Sequence, residues 1–97
     1  MQVLFSKKAQ NTIQSLYVFL TDEIKMPITA LRYSKKMESF GKSLANNPYA
    51  YKICTQEKWN KRNYRCATFN KTWTFVYEVK NEKIIIRDLV LGKLIKK

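Results

Sequence analysis

Apolar residues recur at spacings of three and four through Ala9, Ile13, Leu16, Leu20 and Ile24, which predicts one stripe of an amphipathic helix. A short apolar run, Met1–Phe5, precedes it and reads as a strand ending at Ser6. Ser6 suits an N-cap, its hydroxyl accepting from a backbone N–H that would otherwise lack a partner. Lys25-Met26-Pro27 stops this helix, because the residue before a proline is pushed out of the α region. Pro27 can itself open a second helix, where its missing N–H costs nothing. Ala30, Tyr33, Met37, Phe40 and Leu44 continue at helical spacing until Asn46-Asn47-Pro48. With so short a break between them, the two helices are expected to form a hairpin.

Beyond residue 63 the period changes to two. Tyr64–Phe69, Trp73–Lys80 and Ile84–Leu91 read as strands, separated by the turn Asn70-Lys71-Thr72 and the two-residue loop Asn81-Glu82. Strict alternation places Trp73, Phe75, Tyr77 and Val79 on one face with Ile84, Ile86 and Val90. Thr74, Val76, Glu78, Ile85, Arg87 and Leu89 fall on the other, which is expected to be the open functional surface. Asp88 then lands on the apolar face, an anomaly that calls for a hydrogen-bonded neutral form or a partner such as Lys93. Residues 45–63 have no clear period. Tyr49, Tyr51 and Ile53 alternate with Ala50, Lys52 and Cys54 as in a short extended piece, and Trp59 is expected to anchor the return across the core.

The 97 residues suffice for one domain, 1–97, and the 45% apolar and 13% aromatic content is globular. Nineteen Lys/Arg against seven Asp/Glu give a net charge of +12. Residues 1–48 hold seven basic and three acidic side chains, residues 49–97 twelve and four, so the excess lies mainly in the second half. A charge of this size implies an acidic partner, whether nucleic acid or protein. There is no histidine, and Cys54 and Cys66 stand too far apart for a Cys-x-x-Cys pair. Histidine-based triads and the usual zinc spacings are thereby excluded, and neither metal nor cofactor is expected. The cysteines are read as reduced, part-buried thiols of a cytoplasmic protein. No apolar run is long enough to cross a membrane, and none is expected as a partner.

The fold class that follows is α+β, in the order β-α-α-β-β-β, with a helical hairpin packed on a small, mainly antiparallel twisted sheet. This order, together with SKKAQNTIQSLYVFL, LANNP and RNYRCATFNKTWTFVYEVKNEKIIIRDLVLGK, resembles the RelE/ParE superfamily of bacterial toxins, also called plasmid stabilisation proteins. The first stretch is similar to the family's opening Ser-x-x-Ala helix, and the second to its Leu-x-x-x-Pro helix end. The third is similar to its Tyr-Arg strand, its Val-Tyr-x-Val strand and its closing strand ending in His-Gly-Lys.

The resemblance implies the toxin of a type II toxin–antitoxin module, neutralised by a cognate acidic antitoxin. One branch of the superfamily cuts mRNA on the ribosome; the other poisons DNA gyrase. Cutting RNA through its own 2′-OH needs a base, an acid and cations for the developing charge. Arg65 stands at the first basic position of the ribonuclease branch, but Ala67, Thr74 and Leu94 stand where three further cations are expected, and the terminal Tyr or His is missing. ParE-like inhibition of a DNA-associated target such as gyrase is therefore the reading carried forward, and the chain is expected not to be an enzyme. The alternatives are a ribosome-dependent mRNA endoribonuclease with a substituted set (Arg65, Lys71, Arg87 and Tyr77) and an inactive remnant that only binds antitoxin. Lys61, Arg62, Arg65, Lys71, Arg87, Lys93, Lys96 and Lys97 are the candidate partner-binding residues.

Overall fold

The computed structural model describes residues 1–92. A four-stranded sheet is built from β1 (Gln2–Phe5), β2 (Arg65–Phe69), β3 (Trp73–Lys80) and β4 (Lys83–Leu91) in the order β1-β4-β3-β2. β1 runs parallel to β4, and the other two pairings are antiparallel. One face is covered by α1 (Lys7–Val18) and α2 (Pro27–Ser43), joined through a π-helical turn at Phe19–Glu23. The expected β-α-α-β-β-β order holds, with one addition: α3 (Glu57–Asn60), a single turn between the hairpin and β2.

The helix ends form as their residues dictate. The Ala9 N–H donates to Ser6 Oγ at 3.1 Å, and the Ser6 hydroxyl donates onward to the Arg87 carbonyl at 2.9 Å, tying the start of α1 to β4. Pro27 occupies the first turn of α2. Ala9, Ile13, Met37 and Leu44 are buried against Phe75, Tyr77, Ile84 and Ile86 of the sheet, while Leu16, Tyr33 and Phe40 pack around them. Burying such side chains is worth roughly 1.5–3 kcal/mol each, and this layer is what holds the hairpin to the sheet. The approach is closest at Gly41, where a Cβ would lie 2.6 Å from Phe5 Cζ and 2.8 Å from Ile86 Cδ1. Ile24 does not continue the stripe. The π-helical turn shifts the phase, and Ile24 is left 46% exposed.

Left-handed backbone carries both hairpin turns, at Asn81 and Glu82 of the two-residue β3–β4 loop and at Asn70 and Lys71 of the three-residue β2–β3 loop. In β4 the strict alternation breaks. Tyr77 pairs with Ile86 but Val76 pairs with Asp88, so Arg87 is an extra residue with no partner across the ladder. The bulge reverses the facing of everything after it. Leu89 joins the main core, and Val90 joins a cluster on the opposite side of the sheet. This corrects the faces expected from alternation and removes the anomaly at Asp88, which leaves the helix-covered side and pairs with Lys8 Nζ at 3.1 Å; the suggested partner Lys93 lies outside the described residues.

The cysteines are also corrected. Cys54 and Cys66 form a disulfide, fastening the segment before α3 to β2. Closing a ring of this size removes roughly 3 kcal/mol of conformational entropy from the unfolded chain. The spacing matches no cysteine motif, so the bond was not foreseeable from the sequence.

Candidate functional surface

The outer face of the sheet is not open as alternation suggested. Residues 47–63 cross part of it, and Trp59 packs with Cys54 and Val76 in a second small core bordered by Tyr64, Cys66 and Val90. Trp59 is therefore an anchor, as expected, but on the side away from the helices. The segment is held by an isolated bridge between Ile53 and Arg65 and by two backbone bonds, Cys54 N–H to Tyr64 O and Cys66 N–H to Lys52 O. Next to it lies a solvent-open groove of about 630 Å³, lined by Lys52, Thr55, Thr68, Lys71 and Thr74 and ending at Gly92.

Among the described residues the candidates for RNA cleavage do not gather into one site. Arg65 pairs with Tyr77 across the β2–β3 ladder, and Ala67 with Phe75, on the helix-covered side. Thr74 pairs with Thr68 and lines the groove on the other face. Positions that the ribonuclease branch would use together are thus divided between two sides of the sheet.

Arg65 is half-buried, and its Nη1 donates to the Tyr51 carbonyl at 2.6 Å while the guanidinium lies 5.0 Å from the Tyr49 ring centre. Tyr77 is fully buried, and its hydroxyl donates to the Pro48 carbonyl at 2.7 Å. Burial pushes the Tyr77 phenol up to about 12, against the opposing pull of the nearby Arg65 cation. Such a group neither gives nor takes a proton near neutrality.

Arg87, the bulge residue, is engaged as well. Its Nη2 and Nε donate to Glu78 Oε1 at 2.6 and 3.1 Å, and its guanidinium lies 5.9 Å from the Tyr64 ring centre. The hydrogen bond to Glu78 raises the Arg87 pKa above its ordinary value, so it stays charged but largely neutralised by its neighbour. Lys71 is exposed at the β2–β3 turn, and Lys61 and Arg62 are exposed just after α3. Lys93, Lys96 and Lys97 lie outside the described residues.

Two surface features escaped the sequence reading. Lys52 belongs to the groove, though it sat in a stretch without clear period. At the tip of the helical hairpin Val18, Phe19, Ile24, Met26, Ile28 and Leu31 are all exposed, Ile28 to 68%. Their signal was present: Ile28 and Leu31 lie off the stripe that runs from Ala30 to Leu44. Among the described residues no group of three or more His, Cys, Asp or Glu is placed to hold a metal, and no helix is long and apolar enough to cross a membrane.

Residues 3–91 match the family described as the ParE toxin of the type II toxin–antitoxin system parDE. The chain belongs to the ParE toxin family. The match takes in the helical hairpin, the disulfide-bonded segment and all four strands. A solved structure titled as the chromosomal ParDE toxin–antitoxin system from P. aeruginosa shares the fold, with a TM-score of 0.75 and 19% identity over 94% of this chain and 95% of that one. A sequence search of the curated proteins finds none that matches. ParE membership agrees with the resemblance drawn from the strand and helix motifs, and it places the chain among type II toxins.

Proposed function

We propose that this ParE-family toxin acts by binding, with its basic surface and C-terminal half gripping a DNA-associated target such as gyrase, and that an acidic antitoxin neutralises it. The observation that carries the reading is the fate of the candidate acid–base groups. Tyr77 is buried with its hydroxyl engaged, Arg87 is paired with Glu78, and Arg65 holds a backbone carbonyl on the opposite side of the sheet from Thr74. Cleavage of RNA would need such groups convergent, exposed and free to exchange protons. Binding needs only positive potential and shape, which the +12 charge and the exposed Lys61, Arg62 and Lys71 supply.

The test is induction of the chain in a bacterial host, alone and with a short acidic antitoxin reading frame. It is joined to supercoiling by purified gyrase and mapping of mRNA 5′ ends. Growth arrest relieved by the antitoxin, loss of supercoiling and no new cuts in mRNA are expected. New cuts at ribosomal positions would replace this reading with the endoribonuclease. Unaffected growth together with tight antitoxin binding would make the chain an inactive remnant.

A further inference from the structure

The groove on the outer face has a wall that the toxin reading does not use, the Cys54–Cys66 disulfide itself. Both cysteines line the groove together with Lys52 and Lys71. Cys54 is only 2% exposed, whereas Cys66 is half-buried and is the more accessible of the two. What the bond fastens is also distinct. The second half of residues 47–63 packs Cys54 and Trp59 against Val76 in a cluster separate from the core between helices and sheet, while Tyr51 in the first half reaches that core beside Phe40. The segment's other ties include the Ile53–Arg65 bridge, the Cys54–Tyr64 and Cys66–Lys52 backbone bonds, the Asn60 side chain donating to the Cys54 carbonyl, and the contacts of Arg65 and Tyr77 with Tyr49, Tyr51 and Pro48.

We propose that Cys54–Cys66 is a redox-responsive staple, opened by small anionic thiols that dock in this groove, and that opening it loosens residues 47–64 while the helices and sheet stay folded. The inference does not depend on the toxin's target. The thiolate of the incoming molecule attacks the Cys66 sulfur, forming a mixed disulfide as the Cys54 sulfur leaves with the electron pair. A second thiol attacks the mixed disulfide at the small molecule's sulfur, so that the Cys66 thiolate is released and the two small thiols depart as their disulfide. Two electrons have passed to the protein, and both cysteines take protons from solvent. Lys52 and Lys71 draw the carboxylates of the thiol into the groove and favour the cysteine thiolates as they form.

The wider consequence lies in what residues 47–64 carry. Tyr49, Tyr51, Lys52, Lys61 and Arg62 all belong to this segment, so the state of the staple sets whether that basic, aromatic surface is presented in one shape or many. A partner that recognises the ordered shape meets the ordering cost already met in the oxidised protein but not in the reduced one.

The experiment compares glutathione, which carries net negative charge, with neutral 2-mercaptoethanol on the folded full chain. Thiol alkylation and mass spectrometry follow reduction, and amide hydrogen exchange follows order. Glutathione should give a transient mixed disulfide at Cys66 and then two alkylatable thiols without denaturant. Exchange in 47–64 should rise at least tenfold while β3 and β4 stay unchanged. A Lys52→Glu/Lys71→Glu variant should react several-fold more slowly with glutathione but at an unaltered rate with 2-mercaptoethanol. A Cys54→Ala/Cys66→Ala variant should show the same local loosening without any thiol, and reduced wild-type protein gives the same readout should that variant fail to fold. Three results would each overturn the proposal: reduction only under denaturing conditions, loosening spread equally over β3 and β4, or lysine variants that slow both thiols alike.

Discussion

Arg65 and Tyr77 sit opposite each other across the β2–β3 ladder, and each donates a hydrogen bond to a backbone carbonyl of the same short segment, Arg65 to Tyr51 and Tyr77 to Pro48. Two residues that chemistry would assign to RNA cleavage instead clamp the chain between α2 and α3. Engaged in this way, neither is available to a substrate.

The clamp makes stability depend on alkaline pH. The Tyr77 phenol ionises near 10 in the unfolded chain and near 12 in the folded protein, so the folded state keeps its proton longer. Stability from this group is fully present below pH 10 and is lost as pH rises towards 12, by at most about 3 kcal/mol. Tyr77→Phe should cost roughly 0.5–1.5 kcal/mol at pH 7, through the lost bond to the Pro48 carbonyl. It should also flatten the alkaline decline relative to wild type, as urea midpoints at pH 7, 10 and 11.5 will reveal.

Arg65→Ala should destabilise by roughly 1–3 kcal/mol, because a charge-assisted bond is lost and the Tyr51 carbonyl is left without its donor. The effect should be local, with faster hydrogen exchange in residues 48–53. If binding rather than catalysis is the function, residual toxicity should follow the amount of folded protein. Loss of toxicity at unchanged folded abundance would return Arg65 to a direct role.

At Gly41 the close approach of α2 to Phe5 and Ile86 leaves no space for a methyl group. Gly41→Ala gains helix propensity of up to about 1 kcal/mol but forces apart two aromatic and aliphatic side chains of the core. Overpacking at roughly 1–3 kcal/mol should win, lowering the thermal midpoint. A raised midpoint would mean that Phe5 can yield more readily than its packing suggests.

Glu82 occupies the left-handed region at φ 60°, a conformation that suits glycine better than a residue with a Cβ. Glu82→Gly converts the loop to Asn-Gly, the preferred pair for this turn, and should stabilise by roughly 0.5–1 kcal/mol. For a domain of this size that is a rise of several degrees in the thermal midpoint, measurable by circular dichroism.

The elements were legible where a period was sustained. The stripes of α1 and α2 and the alternation of β3 gave the right elements because each buries a repeated face, and Ser6 and Pro27 act as their residue types dictate. What escaped notice lacked a period to betray it. The α3 turn is too short to show one, and nothing in the residue type of Arg87 announces a bulge. Yet the sequence held a clue, since Asp88 on an apolar face was a sign that the facing had been counted wrongly. The candidate site suffered more, because side-chain partners such as the Pro48 and Tyr51 carbonyls come from a stretch whose path only tertiary packing decides.

The bulge at Arg87 makes β4 two half-strands in opposite phase, with even-numbered residues facing the helices up to Ile86 and odd-numbered ones from Leu89. The facing of the second half therefore depends on the extra residue being held out of the ladder. Arg87 could change to many side chains, or be deleted, and Asp88 would still face outward and Leu89 inward. Closing the bulge with Arg87 retained would instead turn Asp88 inward and Leu89 outward. In β4, the reading frame of the strand is itself a determinant of the fold.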